Sequence, residues 1–147
     1  MWNAKKSVTL SLVCNRLVIA AVIAVAVGTP WLVNGYVYYL EKRQSVAQPL
    51  MVTLIASCAV ALVALLCLDR LLVNIRESQV FIPENVALLR RISWCCFGVA
   101  VILLVSYYYL FFLIAGIAAA FIGLILRVVK NVIEEAIILK NENDLTI

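Results

Sequence analysis

Four stretches free of Asp, Glu, Lys and Arg, at 17–36, 50–68, 92–107 and 110–126, constrain this chain more than any other feature. About 20 apolar residues in helical conformation cross the roughly 30 Å of hydrocarbon in a bilayer, and these stretches approach or reach that length. Their apolar residues run on without the 3.6-residue stripe of a surface helix or the alternation of a half-buried strand. A transmembrane barrel would need alternating segments of about ten residues, whereas a helix satisfies every backbone amide within its own segment. At 147 residues, with 66% hydrophobic and 14% charged, the chain has more apolar surface than a soluble core of that size could enclose. The prediction is an all-α fold: a four-transmembrane-helix bundle, one integral membrane domain over 1–147, with a C-terminal amphipathic helical extension.

Lys5 and Lys6 ahead of the first apolar run resemble the start of a secretory signal. The run continues past signal length to Trp31 and Val33 with no clean small-residue cleavage pattern, so it is read as a span. Gly28, Thr29 and Pro30 are expected to bend or end its helix near one surface. Trp31, Tyr36, Tyr38 and Tyr39, and later Tyr107, Tyr108 and Tyr109, suit a headgroup boundary, with a ligand-binding cluster as the alternative. A polar turn at 41–48 leads into the second span, and 69–91 forms the one sizeable polar connection. Within it, helix is expected to persist to about Ile75 and to break near Pro83, which suits the first turn of the next helix together with Glu84.

The 12 Lys and Arg residues divide unequally between the two sides of the four spans. Lys5, Lys6, Arg16, Arg70, Arg76, Arg90, Arg91, Arg127, Lys130 and Lys140 fall on one side, and only Lys42 and Arg43 on the other. The positive-inside rule then places both termini, the 69–91 connection and the 127–147 tail in the cytoplasm. An anionic inner leaflet attracts each such charge by about 1 kcal/mol, which accounts for the +4 net charge without nucleic-acid binding.

Catalytic constellations are absent from the sequence. The chain has no histidine, no Gly-rich phosphate loop, no nucleophile elbow and no zinc-spaced cysteine pair, so no enzyme activity, metal or cofactor is expected. The centres of the spans carry no ionisable group of the kind that marks ion pathways. Cys95 and Cys96 point about 100° apart on a helix and are read as packing residues, with redox sensing as the alternative. All five cysteines lie in or beside apolar stretches, against an extracellular disulfide framework.

Two patterns carry more. Gly116 with Ala120, and Ala119 with Gly123, form small-xxx-small pairs on the fourth span, suited to close helix packing within the bundle or in a homo-oligomer. Beyond Leu126 the period becomes helical and amphipathic. Val128, Val129, Val132, Ile133, Ala136 and Ile137 fall on one face, and Arg127, Lys130, Asn131, Glu134 and Glu135 on the other. The apolar face must cover lipid, the 69–91 connection or another protein.

The runs Cys67-Leu68-Asp69-Arg70-Leu71-Leu72, Asn74-Ile75-Arg76, Val80-Phe81, Asn85 and Leu89-Arg90-Arg91-Ile92-Ser93-Trp94-Cys95-Cys96 continue into Leu126-Arg127-Val128-Val129-Lys130-Asn131-Val132 and Glu142-Asn143-Asp144-Leu145-Thr146-Ile147. In these the chain resembles a family of small bacterial membrane proteins catalogued only as a domain of unknown function. The match covers roughly the last 80 residues well and the first span loosely. The resemblance implies four spans, a firmicute-like source and a gene often beside one for a Cro/CI-type helix-turn-helix repressor. It carries over no catalytic or binding residue, and the connection between the third and fourth spans here is short.

The residues expected to touch a partner or lipid headgroups are therefore Phe81, Arg90, Arg91, Arg127, Lys130, Glu134 and Glu135, with Phe81 docking the connection onto the bundle. The expected task is non-enzymatic regulation or scaffolding through a cytoplasmic protein partner. The alternative is an accessory subunit or small transporter for a hydrophobic or cationic compound, lined by Tyr107, Tyr108, Tyr109, Phe111 and Phe112.

Overall fold

Hydrocarbon leaves a peptide group no partner but another peptide group, and the computed structural model is accordingly helical wherever the sequence is apolar. It describes residues 4–39, 47–106 and 109–146. The helices are α1 (Ala4–Tyr39), α2 (Ala47–Arg76), α3 (Pro83–Val105) and α4 (Leu110–Leu145), each long and apolar enough to cross a membrane. At about 1.5 Å per residue, the 36 residues of α1 and of α4 extend roughly 54 Å, well beyond the hydrocarbon. The surplus includes the charged end of each helix. Lys42 and Arg43, expected at the opposite turn, and Tyr107 and Tyr108 lie outside the described residues.

Packing is chiefly between sequence neighbours: α1 on α2, α2 on α3 and, most extensively, α3 on α4. Leu71 of α2 and Leu88, Leu89 and Ile92 of α3 form one buried cluster, flanked by Cys67, Cys96, Leu126 and Ile133. Val33 and Val37 of α1 meet Ala47 of α2 in a second. Cys67 and Cys96 thus pack as apolar residues, and none of the five cysteines is bridged.

Pro30 does not end α1, which continues to Tyr39. Ending a helix inside hydrocarbon would strand several amides at several kcal/mol each, whereas a proline removes one N–H. The fully buried Thr29 donates its hydroxyl to the Val25 carbonyl at 2.7 Å, adding a side-chain bond within that turn. Trp31, Tyr38 and Tyr39 stay largely exposed, as boundary residues do.

Most of the polar connection at 69–91 is helical, leaving 77–82 as the turn. Ser78 at φ 66° closes α2: its N–H donates to Ile75 and the Gln79 N–H to Asn74, a Schellman pair with serine where glycine is usual. Pro83 opens α3, where its missing N–H costs nothing, and Glu84 sits in the first turn. Phe81 is half exposed. Asn85 anchors the turn to both helices. It donates to the carbonyls of Gln79 (2.7 Å) and Val80 (2.9 Å), accepts from Asn74 Nδ2 (2.8 Å), and is almost fully buried.

Candidate functional site

The antiparallel register of α3 on α4 is set by residues too small to hold the helices apart. A methyl group added at Gly116 would lie 3.0 Å from Leu104 Cγ and 3.3 Å from the Ala100 carbonyl oxygen. At Gly123 it would lie 3.3 Å from Cys96 Cβ and from the Phe97 ring. Both glycines are buried and Ala119 and Ala120 half-buried, so this stripe is occupied within the chain by α3. With the backbones this close, Ser93 donates its hydroxyl to the Gly123 carbonyl at 2.8 Å, across the two helices.

One turn beyond Ser93, the same register brings basic side chains of both helices together. Arg90, Ser93 and Trp94 of α3 and Arg127 and Lys130 of α4 line a cavity of about 340 Å³. Lys130 Nζ lies 2.6 Å from Glu134 Oε2 and Arg90 Nη2 lies 3.9 Å from Glu134 Oε1. Lysine before glutamate is the weaker order for such a pair on an isolated helix, so Arg90 across the interface contributes to holding the carboxylate. The Lys130 hydrogen bond, then the charges of Lys130 and Arg90, hold the Glu134 carboxyl below the usual carboxylate range. The Arg127 guanidinium lies over the Trp94 ring, 5.7 Å from its centroid. A second cavity of about 300 Å³, between Pro83, Val86 and Ala87 of α3 and Glu134, Ile137 and Ile138 of α4, shares Arg90 with the first.

Of the residues expected at a contact site, Arg90, Arg127, Lys130 and Glu134 come together, while Arg91, Glu135 and Phe81 are exposed and line neither cavity. The α4 extension also differs from its expected division into faces. Lys130 (side chain 14% exposed) and Glu134 turn partly inward beside Ile133, while Val128, Val129 and Val132 are exposed. The α3 surface at this level is mixed, offering Arg90 to Glu134 and the Leu88, Leu89 and Ile92 cluster to Ile133. Sequence reasoning missed Ser93 and Trp94 as site residues. A tryptophan one turn after Arg90-Arg91 was an available sign of the headgroup boundary; the Ser93 bond depends on inter-helix register and had no sign.

Two polar links join α1 to α2 near the same end. Arg16 Nε meets Asp69 Oδ1 at 3.2 Å, and the buried Asn15 donates to the Leu65 carbonyl at 3.1 Å. At the opposite end an apolar cavity of about 460 Å³ is lined by Leu32, Val33 and Tyr36 of α1, Leu50 and Leu54 of α2, and Tyr109, Phe111 and Phe112. The Tyr109 ring stands edge-on to both Tyr36 and Phe112, at 6.3 and 5.5 Å. Below it, the hydroxyls of Thr53 and Ser106 lie 2.7 Å apart, tying α2 to the end of α3.

No curated protein and no solved structure matches the chain. The model of one family, described as "Protein of unknown function (DUF2975)", matches residues 33–147. That range takes in the basic cavity, the 77–82 turn, the Asn85 knot and three of the four helices, leaving out most of α1. The chain, a multi-pass helical protein by its four membrane-length helices, therefore belongs to the DUF2975 family.

Proposed function

We propose that this protein is a non-enzymatic membrane regulator or scaffold whose basic end faces the bacterial cytoplasm and engages a soluble protein partner there. The observation that carries the reading is the extension of α4. It continues as helix to Leu145, far beyond the last apolar residue of its span, and presents Ile138, Leu139 and Leu145 exposed among Glu135, Lys140 and Glu142. A helix with bare apolar residues on a charged surface suits a partner's groove better than open water. The ten-to-two division of basic residues supports the cytoplasmic orientation. A small helix-turn-helix regulator is the partner that the family resemblance suggests.

A photoreactive residue in place of the exposed Glu135, in native membranes, tests this. A crosslink to a soluble protein supports the reading, and crosslinks confined to lipid or to a second copy of the chain overturn it. The aromatic cavity at the other end favours a second reading, an accessory subunit or small transporter for a hydrophobic or cationic compound. Unchanged uptake of such a compound in a Tyr109→Ala variant would remove that reading.

A further inference from the structure

We propose that the cavity between Arg90, Ser93, Trp94, Arg127 and Lys130 is a phosphate-binding site that takes the headgroup of an anionic phospholipid.

The charge count is the first ground. Three cations line the cavity, and one carboxylate, Glu134, serves two of them. Arg127 has no carboxylate partner among the described residues; its neighbour is the Trp94 ring. An anion entering here meets Arg127 without breaking an ion pair, and the excess positive charge of Arg90 and Lys130 reinforces it. A guanidinium suits this role because its fork of N–H donors matches two phosphate oxygens at once.

Depth is the second ground, and it selects a lipid. Arg90 and Arg127 stand where the apolar stretches of α3 and α4 end, and Trp94 is 61% exposed, as an interfacial tryptophan is. Toward the membrane centre the exposed apolar surface continues through Val101 of α3 and Phe121 and Leu124 of α4, which offers acyl chains a path. A phosphate at the cavity would therefore have its glycerol and chains on the apolar side. A soluble phosphate ester shares the anion but has no use for that surface.

The full-length protein in nanodiscs of mixed phosphatidylglycerol and phosphatidylcholine tests this, with the lipid that stays bound after gentle extraction counted by native mass spectrometry. The expected result is retention of phosphatidylglycerol over phosphatidylcholine, reduced about five- to tenfold in Arg127→Gln. Lys140→Gln removes one positive charge from the exposed end of α4, away from the cavity, and should leave retention unchanged. Because Arg127 holds no internal ion pair and gives up only its contact with the Trp94 ring, the glutamine variant should stay folded, with its unfolding temperature close to wild type in delipidated detergent solution. Equal retention in wild type and Arg127→Gln overturns the site. An equal loss in Lys140→Gln overturns it too, since the attraction is then diffuse surface charge. A parallel arm adds inorganic phosphate to delipidated protein: saturable, Arg127-dependent phosphate binding without any preference for phosphatidylglycerol overturns the lipid as the source of the anion.

Discussion

Asn74 donates its side-chain amide to the Asn85 side-chain oxygen over 2.8 Å, joining the last turns of α2 to the first turn of α3. Through the same side chain Asn85 holds the carbonyls of Gln79 and Val80, so one buried amide organises the whole turn between the two helices.

Asn85→Ala is expected to destabilise the protein by about 2–4 kcal/mol, because it strands two carbonyls and an amide that are partly shielded from water. Thermal unfolding in detergent measures the loss, and limited proteolysis should show earlier cleavage within 77–82. Asn85→Asp should be at least as damaging, since a carboxylate oxygen would then face the carbonyls of Gln79 and Val80.

Gly116→Val should destabilise the α3–α4 pair by about 1–3 kcal/mol, the usual cost of overpacking. A first methyl group already reaches 3.0 Å from Leu104 Cγ, and the Ala100 backbone cannot move aside as a side chain can. The paired variant Gly116→Val with Leu104→Ala should recover part of the loss in the same unfolding measurement. No recovery would mean that the backbone contact dominates.

Asn15 provides the opposite case. Its Nδ2 bonds the Leu65 carbonyl, which a helix already supplies with a donor, and its buried Oδ1 has no hydrogen-bond partner among the described residues. Asn15→Leu removes that unmet acceptor and adds apolar contact with α2. The expected change lies between neutral and about 1 kcal/mol of stabilisation, because inter-helix hydrogen bonds in membranes contribute only about 0.6 kcal/mol on average. A clear fall in unfolding temperature would contradict it.

The Glu134 carboxyl, held low by Lys130 and Arg90, sets a pH dependence. A carboxyl whose folded pKa is depressed contributes stability above its unfolded pKa, and the contribution disappears as pH falls through the folded value. Wild type should therefore exceed Glu134→Gln in stability at neutral pH, and the difference should shrink as pH falls through the ordinary carboxylate range and close below the lowered folded value. Paired unfolding curves across that range check it. Equal stability of the two proteins at neutral pH would show that the ion pairs do not hold in solution.

What the sequence by itself determined is the four membrane-length helices, the break at Pro83 and the continuation of α4 past its apolar run. These follow from the length of charge-free sequence and from the need of every amide in hydrocarbon for a partner in its own helix, a local requirement that any reader of the chain can apply. Part of the candidate site was legible for the same reason: Arg90, Arg127, Lys130 and Glu134 stand out as charges at the ends of apolar runs. Which of them meet was decided only by the tertiary structure. Gly116 and Gly123 let α3 and α4 approach until Ser93 reaches the Gly123 carbonyl, and that register turns Lys130 and Glu134 toward Arg90 while leaving Arg91 and Glu135 outside. Asn85 shows the same limit, since a single polar residue near a helix start says nothing of the carbonyls it will hold. Helix rotation and register depend on side chains of different helices, and no periodicity within one helix encodes them.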